Sequence, residues 1–517
     1  MPLWRAWTFV LIPTLLFAVA FGGLTILQYR ALNVPHGDAG MYEEHLWNLL
    51  HGKGFRSQLD DGRLFLGEHI EVIHVLLLPF YWLRQSLPTL NACQALGLAL
   101  GAVAVFGIAR SLHLPVRAAV LWAWAYLCWF PMQALALEQT WKSFRPETLG
   151  PPILLFGFWL LEAGRPAWAS LLFILSWSAK EELALVTTFI GAAMCLTGRW
   201  RWGAVLSVLS VGYFVAAIGW LIPHFRAGAP PHYTPYFDTL GKTPREITVF
   251  VLTHPLEVVQ RMFSGSSIAL VVMLTAPWIF LPFATVRRLL PALPVLGYLM
   301  LTDPEKTHLR NPLFHFHAPL VGILPWSAAW GLAHVTRRRS DALPVARLVF
   351  LVSLLSCVWF GRGPLSYAFY EPLAGIPRLP NPANPTAPLF KPEGSYWRDV
   401  YLPSPRTEAF KKVLPLVQPT DRVAATDYIR TRFTHCRAAH DYPSFRAHVT
   451  IDAIDVFVLD KTEGYWGRDP RTNQDHELLD AMQATAPVGS KLTIRGRPFV
   501  VTHHDAYFVV VRRDAKP

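Results

Sequence analysis

Charged residues are scarce in this chain: only 16% of its 517 residues are Asp, Glu, Lys or Arg, whereas 52% are hydrophobic. The five cysteines are far apart, and four of them fall inside apolar runs. Their spacing predicts neither a metal site nor a disulfide framework. The sequence also contains no internal repeat and no glycine-rich phosphate loop. Cysteine-based metal sites and P-loop nucleotide chemistry are therefore excluded as starting hypotheses.

Apolar residues occur in long runs, and the chain contains 20 Trp and 32 Phe. This composition is typical of a membrane protein that crosses the bilayer many times. The first run, Ala6 to Gln28, has about 23 residues, enough to cross a hydrocarbon core of about 30 Å as a helix. It lacks a small-residue cleavage site after a short apolar region, which favours a retained span over a removed signal peptide.

Eleven membrane spans are predicted from these runs. They lie near 7–29, 88–110, 117–138, 148–163, 167–180, 183–198, 202–223, 266–286, 289–302, 313–335 and 343–361. The fifth and sixth spans could instead be one long helix. A hairpin, however, keeps Arg165, Arg199 and Arg201 on one side of the membrane, and the positive-inside rule favours that arrangement.

The formal net charge of +12 is carried by short basic clusters between the apolar runs. With a cytoplasmic amino terminus, the predicted spans place every short basic loop in the cytoplasm. The charge is therefore a topology signal, and nucleic acid is not an expected partner. The apolar stretch 72–83 is short and interrupted, so we expect an interfacial or re-entrant helix there.

Three parts of the chain differ in composition. Residues 1–361 are predicted to form the transmembrane bundle, with an outward-facing first loop at 30–87, followed by a Pro-rich linker at 362–392. Residues 393–517 are predicted to form a small α/β domain on the outer side. Its expected strands are 422–426, 454–459, 491–494 and 506–511, and its expected helices are 407–416 and 476–484.

Ionisable residues gather at the outer ends of the predicted spans, where an unpaired charge in hydrocarbon costs at least ~2.5–3.5 kcal/mol. Asp38 follows the first span and could act as a general base on a hydroxyl or hold a metal. Taken alone, Asp38 is better explained as a helix N-cap. His69 could contact a phosphate or carboxylate, although a lone histidine more often has a structural role.

The segment Trp141 to Glu147 places cations at the start of a helix. Lys142 and Arg145 flank free backbone N–H groups, an arrangement that favours phosphate binding. Glu147 lies in the first helical turn, where a simple cap role is equally reasonable. Lys180 and Glu181 occupy the tip of the predicted hairpin. They could form a self-neutralised turn, but such turns more often use Gly, Asn or Ser, and we favour a functional role for both.

Further candidates precede the tenth span. Arg310 has forked donors that match phosphate geometry, so it is the best additional phosphate contact. His315 and His317 lie at the outer end of the span, where they could complete an outer cavity or serve as neutral, hydrogen-bonded residues.

Several short motifs resemble those of a known family in their order along the chain. They are Leu46-Trp47-Asn48, Phe65-Leu66-Gly67-Glu68-His69, Leu78-Pro79-Phe80-Tyr81, Phe144-Arg145-Pro146-Glu147, Lys180-Glu181-Glu182, Phe314-His315-Phe316-His317-Ala318-Pro319 and Asp455-Val-Phe-Val-Leu-Asp460. This order resembles the domain of unknown function 2079 family of multispanning bacterial membrane proteins. That family is similar to the C-type glycosyltransferases, which use lipid-linked sugars at the outer face of the membrane.

The resemblance implies a bacterial inner-membrane protein with its carboxyl-terminal domain in the periplasm. It also implies that Asp38 is the base or a metal-linked carboxylate, while any cofactor, including a divalent metal, stays open. Two positions depart from the family pattern: Arg145 stands where members usually carry His, and Lys180-Glu181-Glu182 where they carry Lys-Glu-Asp. The first departure weakens a metal role at that position and strengthens a phosphate role.

We therefore expect a glycosyltransferase that moves a sugar from a polyprenyl-phosphate donor to a cell-envelope acceptor. In it, Asp38, Glu147 and Glu181 would be catalytic, and His69, Arg145, Lys180, Arg310, His315 and His317 would bind substrate. One alternative is a transporter or flippase of a lipid-linked or anionic solute, which would be expected to show repeated half-bundles. Another is a non-catalytic envelope assembly protein, in which the same charges are caps and ion pairs.

Overall fold

The structure is a computed structural model that describes most of the chain. The described residues are 1–34, 38–60, 62–137, 143–228, 231, 233–336, 341–373, 380–381, 384–388, 397–442, 449–462 and 486–514. At Asp38, Asp60, 371–373 and the two segments between 380 and 388, only the backbone is described.

Helices dominate the first 360 residues, as the apolar runs predicted. The α-helices are Leu3–Arg30, Asp38–Leu50, Leu78–Leu83, Leu87–Ser111, Val116–Cys128, Phe130–Leu137, Gly150–Glu162, Pro166–Ser176, Glu182–Leu196, Trp200–Ala216, Ile222–Phe225, Pro244–Thr253, Pro255–Met262, Gly265–Thr275, Val286–Leu289, Leu293–Leu301, Ala318–Val335 and Ala342–Phe360. Short 3₁₀ turns join many of them, including Phe65–Gly67, Ile73–Leu77, Pro146–Leu149, Thr307–Arg310 and His315–His317.

Five of these helices are long and apolar enough to cross a membrane, and two bent pairs raise the number to as many as seven. The bent pairs are Val116–Cys128 with Phe130–Leu137, and Pro255–Met262 with Gly265–Trp278. The count of eleven spans stays a prediction, because several predicted spans are helices shorter than a full crossing. The predicted hairpin is present as two separate helices, Pro166–Ser176 and Glu182–Leu196.

Tight helix packing forms the core of the bundle. The helices Glu182–Leu196 and Trp200–Ala216 approach so closely that a Cβ at Gly191 would lie 2.5 Å from the Gly203 carbonyl oxygen. Only glycine allows this approach, because any side chain would separate the two backbones. Deeper in the bundle, the buried Trp122 donates its indole N–H to the Pro325 carbonyl oxygen at 3.2 Å.

The carboxyl-terminal part forms a mixed six-stranded sheet after a short hairpin, which consists of β1 (Pro380–Asn381) and β2 (Asn384–Pro388). The sheet strands are β3 (Arg422–Thr426), β4 (Ala438–Tyr442), β5 (Val456–Asp460), β6 (Lys491–Ile494), β7 (Arg497–His504) and β8 (Phe508–Arg513), in the order β4-β3-β5-β8-β7-β6. Strand β3 pairs in parallel with β4 and β5, and the other pairings are antiparallel. The helices among the described residues of this part are Trp397–Tyr401, Pro405–Val413 and Asp427–Arg430.

Four of the sheet strands correspond to predicted strands, and β4 and β7 were missed. Strand β4 has the sequence Ala-Ala-His-Asp-Tyr, and β7 begins Arg-Pro, so neither shows a run of β-branched residues at its start. The predicted helix 407–416 corresponds to Pro405–Val413. The predicted helix 476–484 lies outside the described residues. The domain boundaries at 361 and 393 stay a prediction.

The sheet domain is docked on the end of the first helix. Arg406 donates to the Leu32 carbonyl oxygen at 3.2 Å, and Asn33 donates through its side-chain amide to the Asp399 carbonyl oxygen at 2.8 Å. The Arg432 guanidinium lies 3.5 Å from the centroid of the Tyr29 ring. These contacts fix the domain at the same end of the bundle as the first loop.

Candidate functional site

Glu147 is the centre of a buried cluster of charges, called here the ionic cluster (Arg145, Glu147, Lys180, Glu182 and His315). Its carboxylate lies 3.0 Å from Lys180 Nζ, 3.5 Å from an Arg145 guanidinium nitrogen and 3.5 Å from His315 Nε2. Lys180 also lies 3.5 Å from the Glu182 carboxylate. Four of these residues were predicted as site residues from three separate segments of the sequence, and the structure brings those four together.

The location of Glu147 follows from short, irregular structure between helices. Glu147 lies in the 3₁₀ turn Pro146–Leu149, which begins with proline and leads into the helix Gly150–Glu162. Proline suits this position because the first N–H groups of a helix have no intrahelical partner. Lys180 lies in the turn before Glu182–Leu196, and His315 begins another 3₁₀ turn. Three interruptions in the helical bundle thus meet at one end of it.

Gln94 anchors the segment that carries Arg145 and Glu147. Its amide nitrogen donates to the carbonyl oxygens of Leu135 and Ser143, each at 2.9 Å. Its amide oxygen accepts from the Arg145 backbone N–H at 2.8 Å and from the Thr148 hydroxyl at 2.9 Å. A glutamine inside the apolar helix Leu87–Ser111 is a signal that sequence reasoning overlooked, because a buried amide must find partners.

Glu181 pairs with a second predicted residue, His69. The Glu181 carboxylate lies 2.9 Å from His69 Nδ1 and accepts the Ile70 backbone N–H at 3.0 Å. Burial alone would raise the pKa of Glu181 and lower that of His69. The attraction between the two groups outweighs burial, so the pKa of Glu181 falls to about 2 and the pKa of His69 is raised. The His69 ring also stacks on Tyr233, with 5.7 Å between ring centroids. His69 is therefore held against the hairpin tip by a carboxylate that favours its protonated form.

Glu71 is a carboxylate that was not predicted from the sequence as a site residue. It is fully buried, and one of its oxygens accepts the Tyr42 hydroxyl at 2.9 Å, while its other oxygen has no hydrogen-bond partner among the described residues. Burial raises the pKa of Glu71 to about 7, and the nearby positive charge of His69 limits the rise. By contrast, burial alone would raise the pKa of Glu147, but the charges of Lys180, His315 and Arg145 hold it well below its ordinary value.

Two other predicted residues make contacts outside the ionic cluster. Arg310 is buried and donates to the carbonyl oxygens of Thr302, Asp303 and Pro304, at 3.0, 3.2 and 3.0 Å. These bonds use much of its guanidinium fork to shape its own loop, so its phosphate role stays a prediction. His317 makes a ring-nitrogen contact of 3.1 Å with the Pro131 carbonyl oxygen.

Asp38 and Lys142 cannot be compared with the cluster. Asp38 is the first residue of the helix Asp38–Leu50, but its side chain lies outside the described residues, so its capping role stays a prediction. Lys142 lies outside them altogether. The base role of Asp38 therefore stays a prediction.

The helix that begins at Asp38 is held by the sheet domain through two glutamates. The Glu44 carboxylate pairs with Arg430 at 2.6 Å, and both side chains are buried. Glu43 accepts the Thr434 hydroxyl at 3.0 Å and lies 3.1 Å from His435 Nε2. Sequence reasoning missed these contacts, because nearly 400 residues separate the partners and no local pattern links them.

Three of the acidic side chains in this region, Glu147, Glu181 and Glu44, pair with basic groups. Within the described part of the chain, no three His, Cys, Asp or Glu side chains are grouped so that they could hold a metal ion. The described residues supply three basic groups, each held by a carboxylate: the buried cations Arg145 and Lys180, and the partly buried His69. Such an array can stabilise an oxyanion.

The fold is similar to that of a solved membrane protein. The crystal structure of ArnT from Cupriavidus metallidurans bound to undecaprenyl phosphate matches with a TM-score of 0.51 and 14% sequence identity, covering 98% of each chain. The apo structure of the same protein matches with a TM-score of 0.45 and 15% identity, covering 96% of this chain and 98% of the other. The match to the bound form confirms the predicted fold, a helical bundle with a small carboxyl-terminal sheet domain.

Comparison of sequences gives the family. No curated protein matches the chain significantly. The model of the family described as "Predicted membrane protein (DUF2079)" matches residues 28–485, which include the first loop, the ionic cluster and strands β3 to β5 of the sheet domain. The chain therefore belongs to the domain of unknown function 2079 family of membrane proteins.

Proposed function

We propose that this protein is a glycosyltransferase that moves a sugar from a polyprenyl-phosphate donor to an acceptor hydroxyl at the periplasmic face of the inner membrane. The observation that carries the proposal is the ionic cluster, in which Arg145 and Lys180 are both held within 3.5 Å of Glu147 at one end of the bundle. The shared fold with ArnT, crystallised with undecaprenyl phosphate, supports a polyprenyl lipid as the partner.

Departure of a lipid phosphate requires charge neutralisation more than protonation. As the acceptor oxygen bonds to the anomeric carbon, the bond from that carbon to the phosphate oxygen breaks, and its electron pair leaves with the polyprenyl phosphate. Lys180 and Arg145 would stabilise the departing phosphate, and Glu147 would hold both cations ready before the donor binds. Direct displacement of this kind inverts the anomeric centre.

The acceptor hydroxyl must lose its proton during the transfer. Asp38 is the proposed base because it begins the helix that directly follows the first predicted span. His69 and Glu181 would line the site beside Lys180 at the hairpin tip, where the carboxylate favours the protonated form of the histidine. The ionic cluster and the sheet domain would both face the periplasm, where lipid-linked sugars are presented.

The test is sugar transfer by the purified protein in lipid, using radiolabelled polyprenyl-phosphate sugars and the variants Asp38→Asn, Lys180→Gln and Arg145→Gln. We expect losses of about 100-fold or more, since removing one donor that stabilises transition-state charge typically costs that much. The matched control is Arg288→Gln, a buried cation beside Glu162 at the far end of the helix that starts near Glu147. It should reduce stability without selectively reducing transfer.

Two outcomes would replace this proposal. If labelled substrate accumulates chemically unchanged inside proteoliposomes, the protein is a transporter or flippase. If Asp38→Asn and Lys180→Gln lower stability while no sugar donor is consumed even by the wild type, the charges are structural, as in an assembly protein.

A further inference from the structure

A cleft of about 170 Å³ lies between the first loop and the sheet domain, and none of its lining residues belongs to the ionic cluster. The loop contributes Asn48, Lys53, Arg56 and Gln58, and the sheet domain contributes Arg437 immediately before strand β4. Lys53, Arg56 and Arg437 are exposed, so the cleft opens to water. We call it the interdomain cleft.

The three cations of the interdomain cleft are not neutralised by any acid whose side chain the structure describes. Among the described residues, none of Lys53, Arg56 and Arg437 forms an ion pair with a carboxylate. Glu44 also lines the cleft, but its charge is balanced by Arg430, and its oxygens also accept the Ser57 hydroxyl at 2.6 Å and the Gln58 backbone N–H at 3.0 Å. The described lining residues therefore give the cleft a positive electrostatic potential, because the one carboxylate among them, Glu44, is already paired with Arg430.

Two of these cations are held in place. Arg56 donates to the Gly62 carbonyl oxygen at 2.9 Å, and its own carbonyl oxygen accepts the Asn48 side-chain amide at 2.8 Å. Lys53 Nζ lies 4.5 Å from the centroid of the Trp47 ring, a cation–π contact. A cation held in advance loses less side-chain entropy when an anion binds.

We propose that the interdomain cleft binds an anionic saccharide, that is, a sugar carrying a carboxylate or a phosphate. The three cations supply the donors for the oxyanion, and the amides of Asn48 and Gln58 supply hydrogen-bonding groups for hydroxyls. A volume of about 170 Å³ is below the ~300 Å³ of the smallest drug-sized pockets, so it suits one sugar ring with its charged group. The site is separate from glycosyl transfer, and its binding does not depend on that activity.

The experiment is titration calorimetry of the full-length protein in nanodiscs of neutral lipid. The probes are galacturonic acid, galactose 1-phosphate and neutral galactose. We expect saturable binding of at least one of the two anions that weakens as salt increases, with neutral galactose at least about tenfold weaker. Binding of one anion alone supports the proposal and identifies the preferred charged group.

The variants are Arg437→Gln and Lys53→Gln, singly and together. Each exposed side chain can be replaced without opening the core, and each single change should weaken anion binding about tenfold. The control is Lys412→Gln, which removes an exposed cation of the same domain outside the cleft and should leave binding unchanged. The proposal is overturned if neither anion binds at millimolar concentration, if galactose binds equally well, or if the double variant binds like the wild type.

Discussion

The pair formed by Glu147 and Lys180 should be worth far more than an ordinary surface ion pair. Their charged atoms are 3.0 Å apart, and both side chains are more than nine-tenths buried. At an effective dielectric constant of ~20, the attraction at this distance is about 5.5 kcal/mol before desolvation is subtracted. Removing one partner of a buried pair costs ~3–5 kcal/mol, because the other charge stays buried without compensation.

The perturbation is a double-mutant cycle with Glu147→Gln, Lys180→Met and the double variant. Glu147→Gln should cost more than Lys180→Met, since it deprives Lys180, Arg145 and His315 of their shared carboxylate. The double variant should be more stable than the sum of the single effects predicts, with a coupling energy of ~2–3 kcal/mol. The measurement is the free energy of unfolding in detergent, followed by intrinsic fluorescence.

The control cycle uses the exposed pair Glu408 and Lys411, whose charged atoms are 2.8 Å apart but more than three-fifths exposed. Its coupling energy should be ~0.2–1 kcal/mol, because water and side-chain entropy offset the attraction. A Glu147–Lys180 coupling no larger than that of the exposed pair would refute this expectation. In that case the ionic cluster would not be a preorganised site.

Three further predictions concern stability. Because burial raises the pKa of Glu71 from 4.5 to about 7, its protonated form favours folding below pH 4.5, and that contribution is lost as the pH rises through about 7. The unfolding free energy of the wild type should thus fall by about 3 kcal/mol relative to Glu71→Gln between those pH values, and a parallel pair of pH profiles would disprove this. Gly40→Ala should destabilise the docking of the sheet domain by ~1–3 kcal/mol, because the new Cβ would lie 2.7 Å from Arg430 and 3.0 Å from Thr434. Limited proteolysis of the tail measures this change. Unchanged protection from the protease would contradict the prediction. Gln94→Leu should lower the free energy of unfolding by at least ~2 kcal/mol, because it removes four buried hydrogen bonds. Thermal unfolding, compared with that of Gln94→Glu, measures the loss. An unchanged melting temperature would rule out the anchoring role.

The sequence predicted the bundle and several members of its charged cluster for a physical reason. Apolar runs and basic loops determine which loops share one side, and this rule alone assigns Glu147 and Lys180 to the same face of the membrane. Their ion pair at 3.0 Å agrees with this placement. The span count stays a prediction, because bent or short helices such as Phe130–Leu137 look like complete apolar runs in the sequence.

Long-range contacts could not be predicted in the same way. Glu44 reads locally as one acidic residue of an amphipathic helix, and its partner Arg430 lies far along the chain in another domain. Arg310 presents a different difficulty, because its side-chain chemistry suggests a ligand but gives no sign of its partners in the fold. Its forked guanidinium suggests a phosphate contact, but three carbonyl oxygens of its own loop accept its hydrogen bonds. A single sequence carries no local signal for such partners.

The central claim is that the ionic cluster receives a lipid phosphate, and an electron cryomicroscopy structure with undecaprenyl phosphate tests it most directly. We expect phosphate density within hydrogen-bonding distance of Lys180 Nζ or the Arg145 guanidinium, with Glu147 still holding at least one of them. Lys180→Gln should remove that density while the fold is retained. Phosphate bound elsewhere on the bundle, with the cluster unchanged, would contradict the claim.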